Sequence, residues 1–469
     1  MAYPILAPNS SWYQGTTPRA SITEINIVDA YVVTGNETEV WNAASSGSIP
    51  CFVLGTVLYI SASNNGKIAL NADSRSVFSD INEVDYFSSL VRINGAECLD
   101  VSGATTLEFF LRSASALTYI NVGNWNTSNV TSLRGTFAYC TSLTSLDVEP
   151  KTVSDNGVTY MAWNTSKVTS FRGLFTGNAY VGDMQLVNLP VENWDTSSVT
   201  DMTSTFYGCG KLTSLDLSKW NVSNVTTMSH MFADCFNITS FNFTGWDTSK
   251  VEDFSALFND CAAITVLDLS SFNTSSAKIF AQMFERCTRL VEIIGLDKFN
   301  TSGIKLGEST HVFSEMFMEC ASIPRLDLSS FDASQAHEIE YMFKGCTALK
   351  ELIIPWDVSS LRWCGEAFAG CSSLTELDLS TWNTNSLYSL WQTFSGCTNL
   401  ETIYVSDKWT IEALNTETDY RLNTFAHCSK LIGGAGTMFD GNNITGDFAV
   451  LDGGPDSPGY FTYRSSHTS

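Results

Sequence analysis

The chain has 469 residues, 44% hydrophobic and 12% aromatic, enough apolar mass for a packed interior, which excludes a disordered chain. Only 16% are charged, and 25 basic against 49 acidic residues leave a net charge of −24. An acidic surface repels phosphate backbones and anionic lipid, so nucleic-acid partners and membrane-surface docking are not expected, and the charge serves solubility.

Taken in chain order, residues 1–20 are rich in Pro, Ser and Thr and read as an extended arm, and Ser21–Val33 alternates in part and reads as a strand. The opening Met1-Ala-Tyr-Pro lacks the basic and apolar regions of a Sec signal, so a route of export other than Sec is expected. Residues 51–98 read as a β-hairpin and N-terminal cap. Cys51–Ile60 forms one arm, Asn64-Asn65-Gly66 the turn and Lys67–Leu70 the other arm. No apolar run approaches the roughly 20 residues that span a bilayer, so membrane insertion is not expected.

Residues 99–428 repeat. An aromatic anchor recurs at Trp125, Trp163, Trp194, Trp220, Trp246, Phe272, Phe299, Phe331, Trp356, Trp382 and Trp409, mostly 25 to 27 residues apart. A second column, Phe137, Phe175, Phe206, Phe232, Phe258, Phe284, Phe317, Phe343, Phe368, Phe394 and Phe425, runs with it. Leu99, Ala104, Leu107, Leu111, Ala114 and Leu117 make a degenerate twelfth copy that suits a terminal cap. Before the anchor, Leu-x-x-Leu-x-Leu puts its last two Leu on one face of a short strand, and only stacked units can bury that face. The fold class is therefore a repeat solenoid of leucine-rich type, α/β with short parallel strands and repeats of about 26 residues, preceded by a small β-rich region. Longer spacings place insertions at 149–162, 177–190 and 303–313, where extra loops are the best candidates for specificity. Residues 429–469 form a C-terminal cap and tail in which Asp452–Phe461 closes the last unit.

The other columns decide what chemistry is present. An Asn or Asp follows nearly every anchor, with Ser two residues on, the composition of a tight turn fixed by side-chain bonds to backbone amides. Ten of the thirteen cysteines share one column, with Asn178 in that slot once. No spacing suits a metal, and so large a core does not need disulfides, so the column reads as buried free thiols made in a reducing compartment. None of the histidines sits in a catalytic or metal motif, and neither an enzyme activity nor a cofactor is expected. One column points outward: Asp216, Asn242, Asp268, Ile294, Asp327, Ile353, Asp378 and Tyr404. Its acid–neutral alternation is either surface-charge management, since stacked carboxylates repel, or a mixed acidic and apolar strip facing a ligand.

These motifs resemble the BspA-like leucine-rich repeat family, whose consensus is similar to Leu215–Cys235 and to the stretch from Leu377 into the Cys397 unit. The lead-in Gly66–Phe78 and the ending Leu451–Thr462 also resemble it. The resemblance implies a bacterial or protozoan surface protein that adheres to a host protein or glycan. Chains of this kind without a signal occur in phage and prophage gene sets, and Pro4–Gly15 resembles those. A phage virion structural or receptor-binding protein, attached to other virion proteins through residues 1–50, is therefore the alternative. Either way the resemblance implies an extracellular location, on a bacterial surface or a phage particle.

Overall fold

The computed structural model describes residues 3–465 except 32–34, 64–65, 80–84, 156, 178–181, 306–310 and 416. It contains two compact units, an N-terminal one (Met1–Val225 with Met231–Trp246) and a C-terminal one (Thr226–His230 with Asp247–Ser469).

Both units are stacks of coils. In the C-terminal unit, strand Val266–Asp268 pairs in parallel with Glu292–Ile294, Arg325–Asp327 with Glu351–Ile353, and Glu376–Asp378 with Thr402–Val405. The central residues Leu267, Leu326, Leu352, Leu377 and Ile403 are buried, and their neighbours on either side point outward, as period-2 backbone requires. Phe461–Tyr463 pairs with Thr402–Val405, so the tail closes the final coil as its sequence suggests.

The helical half of the expected α/β repeat is replaced. Among the described residues there is no α-helix, only short 3-10 segments, and the part of each coil around the Phe column is a run of turns. At Phe343, the Met342, Lys344 and Cys346 amides donate to carbonyls three residues back, Ile339, Tyr341 and Phe343 (3.0–3.2 Å). The alternate amides of Tyr341, Phe343 and Gly345 donate outward, to Gly365, Ala367 and Ala369 of the next coil (2.8–3.0 Å). An α-helix would keep all these bonds inside its own segment. The switch is a positive φ two residues before and two after the Phe: Tyr341 at 58° and Gly345 at 74° here, Gln392 at 50° and Gly396 at 77° around Phe394. Positive φ at the third residue of a turn is the type II geometry. Most such positions carry Ser, Asp, Glu, Gln, His or Tyr rather than Gly, and none of the described ones carries Val, Ile or Thr, the residues that tolerate left-handed backbone worst.

Side-chain columns add a second donor to the carbonyls of the turns. Thiols of the Cys column donate to the carbonyl of the preceding Phe-column residue, which also accepts a backbone amide: Cys140 to Leu111, Cys235 to Phe206, Cys287 to Phe258, Cys346 to Phe317, Cys397 to Phe368 (3.1–3.3 Å). Anchor Trp indoles donate in the same way one column over, as Trp194 to Val148 and Trp356 to Leu328 (both 2.9 Å). The Asx residues make the expected turns, for example Ser166 N–H to Asn164 and Ser359 N–H to Asp357 (both 3.0 Å). The bond between coils comes instead from the next residue, a buried Thr: Thr165 to the Asp195 carbonyl, Thr274 to Asn300, Thr384 to Thr410 (2.8–3.0 Å). Rings stack within the columns, with Phe137, Phe175, Phe206 and Phe232 at 5.9 Å centroid steps and interplanar angles of 15° or less.

The N-terminal unit begins this pattern earlier than the sequence suggests. The Phe78 amide donates to Phe110 of the Leu111 coil (2.8 Å) and Ser76 has φ 53°, so Phe78 already occupies the Phe column. Six strands form its main sheet, in the order Tyr119–Ile120, Arg92–Asn94, Glu24–Val28, Val57–Ser61, Pro50–Leu54, Glu39–Asn42. The hairpin turn is Gly55-Thr56, with Cys51 opposite Ile60, not the expected Asn64-Asn65-Gly66. That two-residue closure buries Phe52, Val53, Leu58 and Ile60, and Ile68–Ala69 joins a second sheet beside Ile5–Leu6 and Leu99–Asp100. Asn64, Asn65, Val32, Val33 and Asn178, all expected to take part in named features, lie outside the described residues. The described part of the stretch 1–50, expected as an extended arm and a strand, is tied down. Trp12 is fully buried with its indole N–H on the Val77 carbonyl (2.6 Å), and Ile5–Leu6 pairs with Ala44–Ser46.

If the thiol donors help hold the coils together, Cys346→Ala removes the second hydrogen bond to the Phe317 carbonyl, which keeps the Cys320 amide. The expected loss is about 0.5–1.5 kcal/mol, read as a lower urea midpoint, with partial recovery in Cys346→Ser. An unchanged midpoint in the Ala variant would reduce the thiol to space filling.

Candidate functional site

The outward column falls on the exposed face of the strands. Register places Asp268 beside Ile294, Asp327 beside Ile353 and Asp378 beside Tyr404, so in each pair a carboxylate has a neutral neighbour. Asp216 and Asn242 occupy the same slot in the N-terminal unit and are exposed. The structure adds a reason for the acid that the sequence reading did not see. Each Asx here accepts the backbone amide two residues on, which in Asp268, Asp327 and Asp378 ends a strand: Asp216 from Ser218, Asn242 from Thr244, Asp268 from Ser270, Asp327 from Ser329, Asp378 from Ser380 (2.9–3.2 Å). The Ser hydroxyl and amide hold Asp216 and Asp268 below the usual carboxylate range. The signal was present as a second Asx-x-Ser or Asx-x-Thr triplet, five residues ahead of the one after the anchor. Where Ile294 stands, Gly295 follows, and a Cβ there would strike the Ser270 backbone at 2.6 Å.

The rest of this face alternates chemistry as well. Two residues before the column stand Val266, Glu292, Arg325, Glu351 and Glu376. Arg325 forks between Asp327 (2.9 Å) and Glu351 (3.1 Å). Because strands pair only in twos or threes, grooves open between pairs. One of about 540 Å³ lies between the Ile294 and Asp327 strands, and one of about 300 Å³ between the Ile353 and Asp378 strands. Val266, Val291 and Ile294 are each 40% or more exposed beside these carboxylates. At the C-terminal end the strip is already occupied. Arg464 reaches back to Asp378 (2.6 Å) and lies 3.3 Å from the Tyr404 ring centroid, so those two residues bind a guanidinium of their own chain. Burial alone would raise the Asp378 carboxyl, but Ser380 and Arg464 outweigh it and hold it low.

The insertions differ from one another. Residues 149–162 contain a β-hairpin, Lys151–Asp155 against Val158–Ala162, with Asp155 paired to Lys67 and the Tyr160 hydroxyl on the Asn124 carbonyl (2.7 Å). Met184, Leu186 and Leu189 bury part of 177–190, while 178–181 and 306–310 lie outside the described residues. Among the described residues no three His, Cys, Asp or Glu stand close enough together to hold a metal. The column thiols are raised by burial, Cys140, Cys287 and Cys346 to about 12, which suits donors and not nucleophiles.

One titrating cluster was not foreseen. Glu285 is 7% exposed and takes a hydrogen bond from Asn259 (2.7 Å), and burial, then the charge of Glu315, lifts its pKa to about 7. Arg286 lies 3.4 Å from Glu319, 3.7 Å from Asp260 and 3.8 Å from Glu285, and only partly offsets the crowding. In sequence Asp260, Arg286 and Glu319 each stand two residues after the Phe column, while Glu285 stands one after and Glu315 two before it, so no single repeated position marks the cluster.

The family described as Mycoplasma protein of unknown function, DUF285, matches the chain over residues 79–179, 151–243, 215–310 and 311–431. Among solved structures the chain is similar to a TLR13–ssRNA13 complex (17% identity over 79% of this chain, TM-score 0.24) and spans 46% of that chain. It is similar to a leucine-rich repeat protein from Eubacterium ventriosum (15% identity, 76% of this chain and 78% of that one, TM-score 0.23). The functional domain of InlJ from Listeria monocytogenes is a third (12% identity, 76% and 77%, TM-score 0.16). No curated protein matches the sequence.

Glu285 makes stability depend on pH in a fixed direction. Its native pKa lies above the unfolded one, so the native state holds the proton more tightly, and that stabilisation is lost as pH rises through about 7. Tm should fall between pH 5 and pH 8, and Glu285→Gln should flatten that slope and raise Tm at pH 8. Parallel Tm–pH curves for the two proteins would refute this.

Proposed function

The chain belongs to the DUF285 family, and we propose that it is a non-enzymatic adhesion protein whose C-terminal strand face binds a protein on a host surface. The observation that carries this reading is Arg464. The chain seats its own guanidinium between a carboxylate and an aromatic ring on this face, which defines the chemistry the strip accepts. Asp268 and Asp327 repeat that carboxylate beside exposed Ile294 and half-buried Ile353, with grooves adjoining; Asp327 shares the Arg325 guanidinium with Glu351, and among the described residues none of the tail reaches either as Arg464 reaches Asp378. A segment presenting Arg or Lys next to apolar side chains fits this pattern, and so favours a protein ligand over a glycan. The recurring Trp, Phe, Cys, Thr and Asx columns are engaged in holding the coils. Specificity is left to positions that vary from repeat to repeat, and those lie on this face.

The alternative, a virion protein attached through residues 1–50, began from a free arm. Trp12, Ile22, Ile25 and Ile27 are buried in the N-terminal unit, so that segment serves the fold. Surface display, on a cell or on a particle, is part of the proposal.

The test separates charge from turn. Asp268→Asn with Asp327→Asn keeps the Asx acceptor, as Asn242 does naturally, and removes both charges. On a panel of purified host surface proteins and glycans, the parent should bind a protein ligand and the double variant should bind it about tenfold more weakly or worse. Arg464→Ala should uncover Asp378 and Tyr404 and strengthen binding. Equal binding by parent and double variant, or a parent that binds nothing on the panel, counts against the strand face.

A further inference from the structure

The N-terminal unit carries a second surface of opposite chemistry. On the turn face, in the coils of Leu111, Phe137 and Phe175, stand Arg112, Arg134 and Arg172. Phe109, Tyr139 and Tyr207 are half-buried among them. The Arg112 and Arg134 guanidiniums each lie 5.1 Å from the Phe109 ring centroid, and Arg112 lies 5.8 Å from that of Tyr139. These side chains line one groove of about 310 Å³.

The groove exists because of two glycines. The left-handed position two residues before the Phe column carries a side chain in the coils that follow: Ser204, His230, Ala256, Gln282, Glu315, Tyr341. In two consecutive coils it is Gly135 (φ 58°) and Gly173 (φ 62°), each directly after an Arg. A Cβ on Gly135 would lie 2.5 Å from the Phe109 ring, so the missing side chain both opens the floor and seats the ring. Arg134 and Arg172 are exposed, and neither is ion-paired to a carboxylate among the described residues. The Ser204 hydroxyl, also on the lining, makes no hydrogen bond among them either. In a chain of net charge −24, exposed Arg134 and Arg172 standing beside aromatic rings without a carboxylate partner among the described residues are not surface neutralisation.

We propose that this groove binds an acidic sugar, a glycan unit carrying a sulfate or a carboxylate. Guanidinium forks match the planar or tetrahedral oxygens of those groups with paired hydrogen bonds. Ring faces of Phe109 and Tyr139 suit the apolar side of a pyranose, and a volume of about 310 Å³ holds a small ligand rather than a folded partner. A long phosphate chain would meet the repulsion of the acidic remainder, so a polynucleotide is disfavoured. This site does not depend on the strand face of the C-terminal unit.

The experiment titrates the full-length protein with a sulfated heparin hexasaccharide, with sialyllactose and with a single-stranded RNA decamer, at low and at physiological salt. Binding of either acidic sugar is expected, weaker as salt rises, and about tenfold or more weaker in Arg134→Gln/Arg172→Gln. Arg134→Lys/Arg172→Lys should fall between, keeping charge but losing the forks, and Arg325→Gln in the C-terminal unit should bind like the parent. The hexasaccharide and sialyllactose arms distinguish sulfate from carboxylate. Binding to neither sugar overturns the proposal, as does binding unchanged in the Arg→Gln variant at an unchanged Tm. Arg-dependent binding of the RNA alone overturns it too.

Discussion

The structure depends on pairing backbone groups that neither a helix nor a long strand accounts for. A coil of about 26 residues has three residues of strand and otherwise turns, all pressed between neighbours, and an unpaired buried carbonyl or amide costs about 1–3 kcal/mol. The solution is a division of labour. Alternate amides bond within the coil and to the next one, Thr O–H donors reach carbonyls of the neighbouring coil such as that of Asp195, and Cys S–H and Trp N–H donors add a second hydrogen bond to carbonyls such as those of Phe317 and Leu328. The Cys, Trp and Thr columns are thus donors at fixed heights in the stack. A column of alanines would fill much of the same space as the cysteines and leave a row of carbonyls with one hydrogen bond instead of two.

This explains which features could be read from the sequence and which could not. Trp, Phe, Cys and Asx columns are legible because one residue type suits each donor or ring position, so the same letter recurs. The left-handed positions are not legible. The neighbouring coils impose them on residues as different as His230, Gln282, Tyr341 and Glu366, and only the absence of β-branched residues records the constraint. For the same reason the second half of the repeat reads as helix by analogy and forms turns in fact. The Phe78 coil was hidden because its partner coil departs from the consensus, with Leu111 and Ala114 in the Phe and Cys slots. The hairpin turn was misplaced because Asn-Asn-Gly is the stronger local signal, whereas burial of Phe52 and Leu58 selects Gly55-Thr56.

The candidate site was half legible. Strand periodicity sufficed to place Asp268, Ile294, Asp327 and Ile353 on one exposed face, and register confirms the acid–neutral alternation. Whether the acid serves a turn or a ligand is not a question periodicity can answer. The Asx bonds show that it serves the turn in every case, so the turn alone does not explain why Asp rather than Asn is used in all but one of them. The excess is charge, and Arg464 on Asp378 shows that charge engaged. That contact joins residues 86 apart in sequence, which no local pattern could have announced.

The two surfaces follow from how the coil divides its positions. Residues that point inward are fixed by the donor columns, and residues that end strands or turns are fixed by backbone geometry. Freedom remains at the strand's outward positions and beside the Phe column. In the C-terminal unit the strand positions hold Asp, Glu, Ile and Val, while the turn positions hold a carboxylate cluster crowded enough to lift Glu285 to about 7. In the N-terminal unit the corresponding turn positions hold Arg-Gly pairs and aromatic rings. Identical scaffolding therefore carries opposite charge on equivalent faces. The hydrogen bonds of the Cys, Trp and Thr columns that join successive coils do not involve those side chains, so either face can change its chemistry, within the Asx turns, without loosening the stack, as the proposed contact function requires.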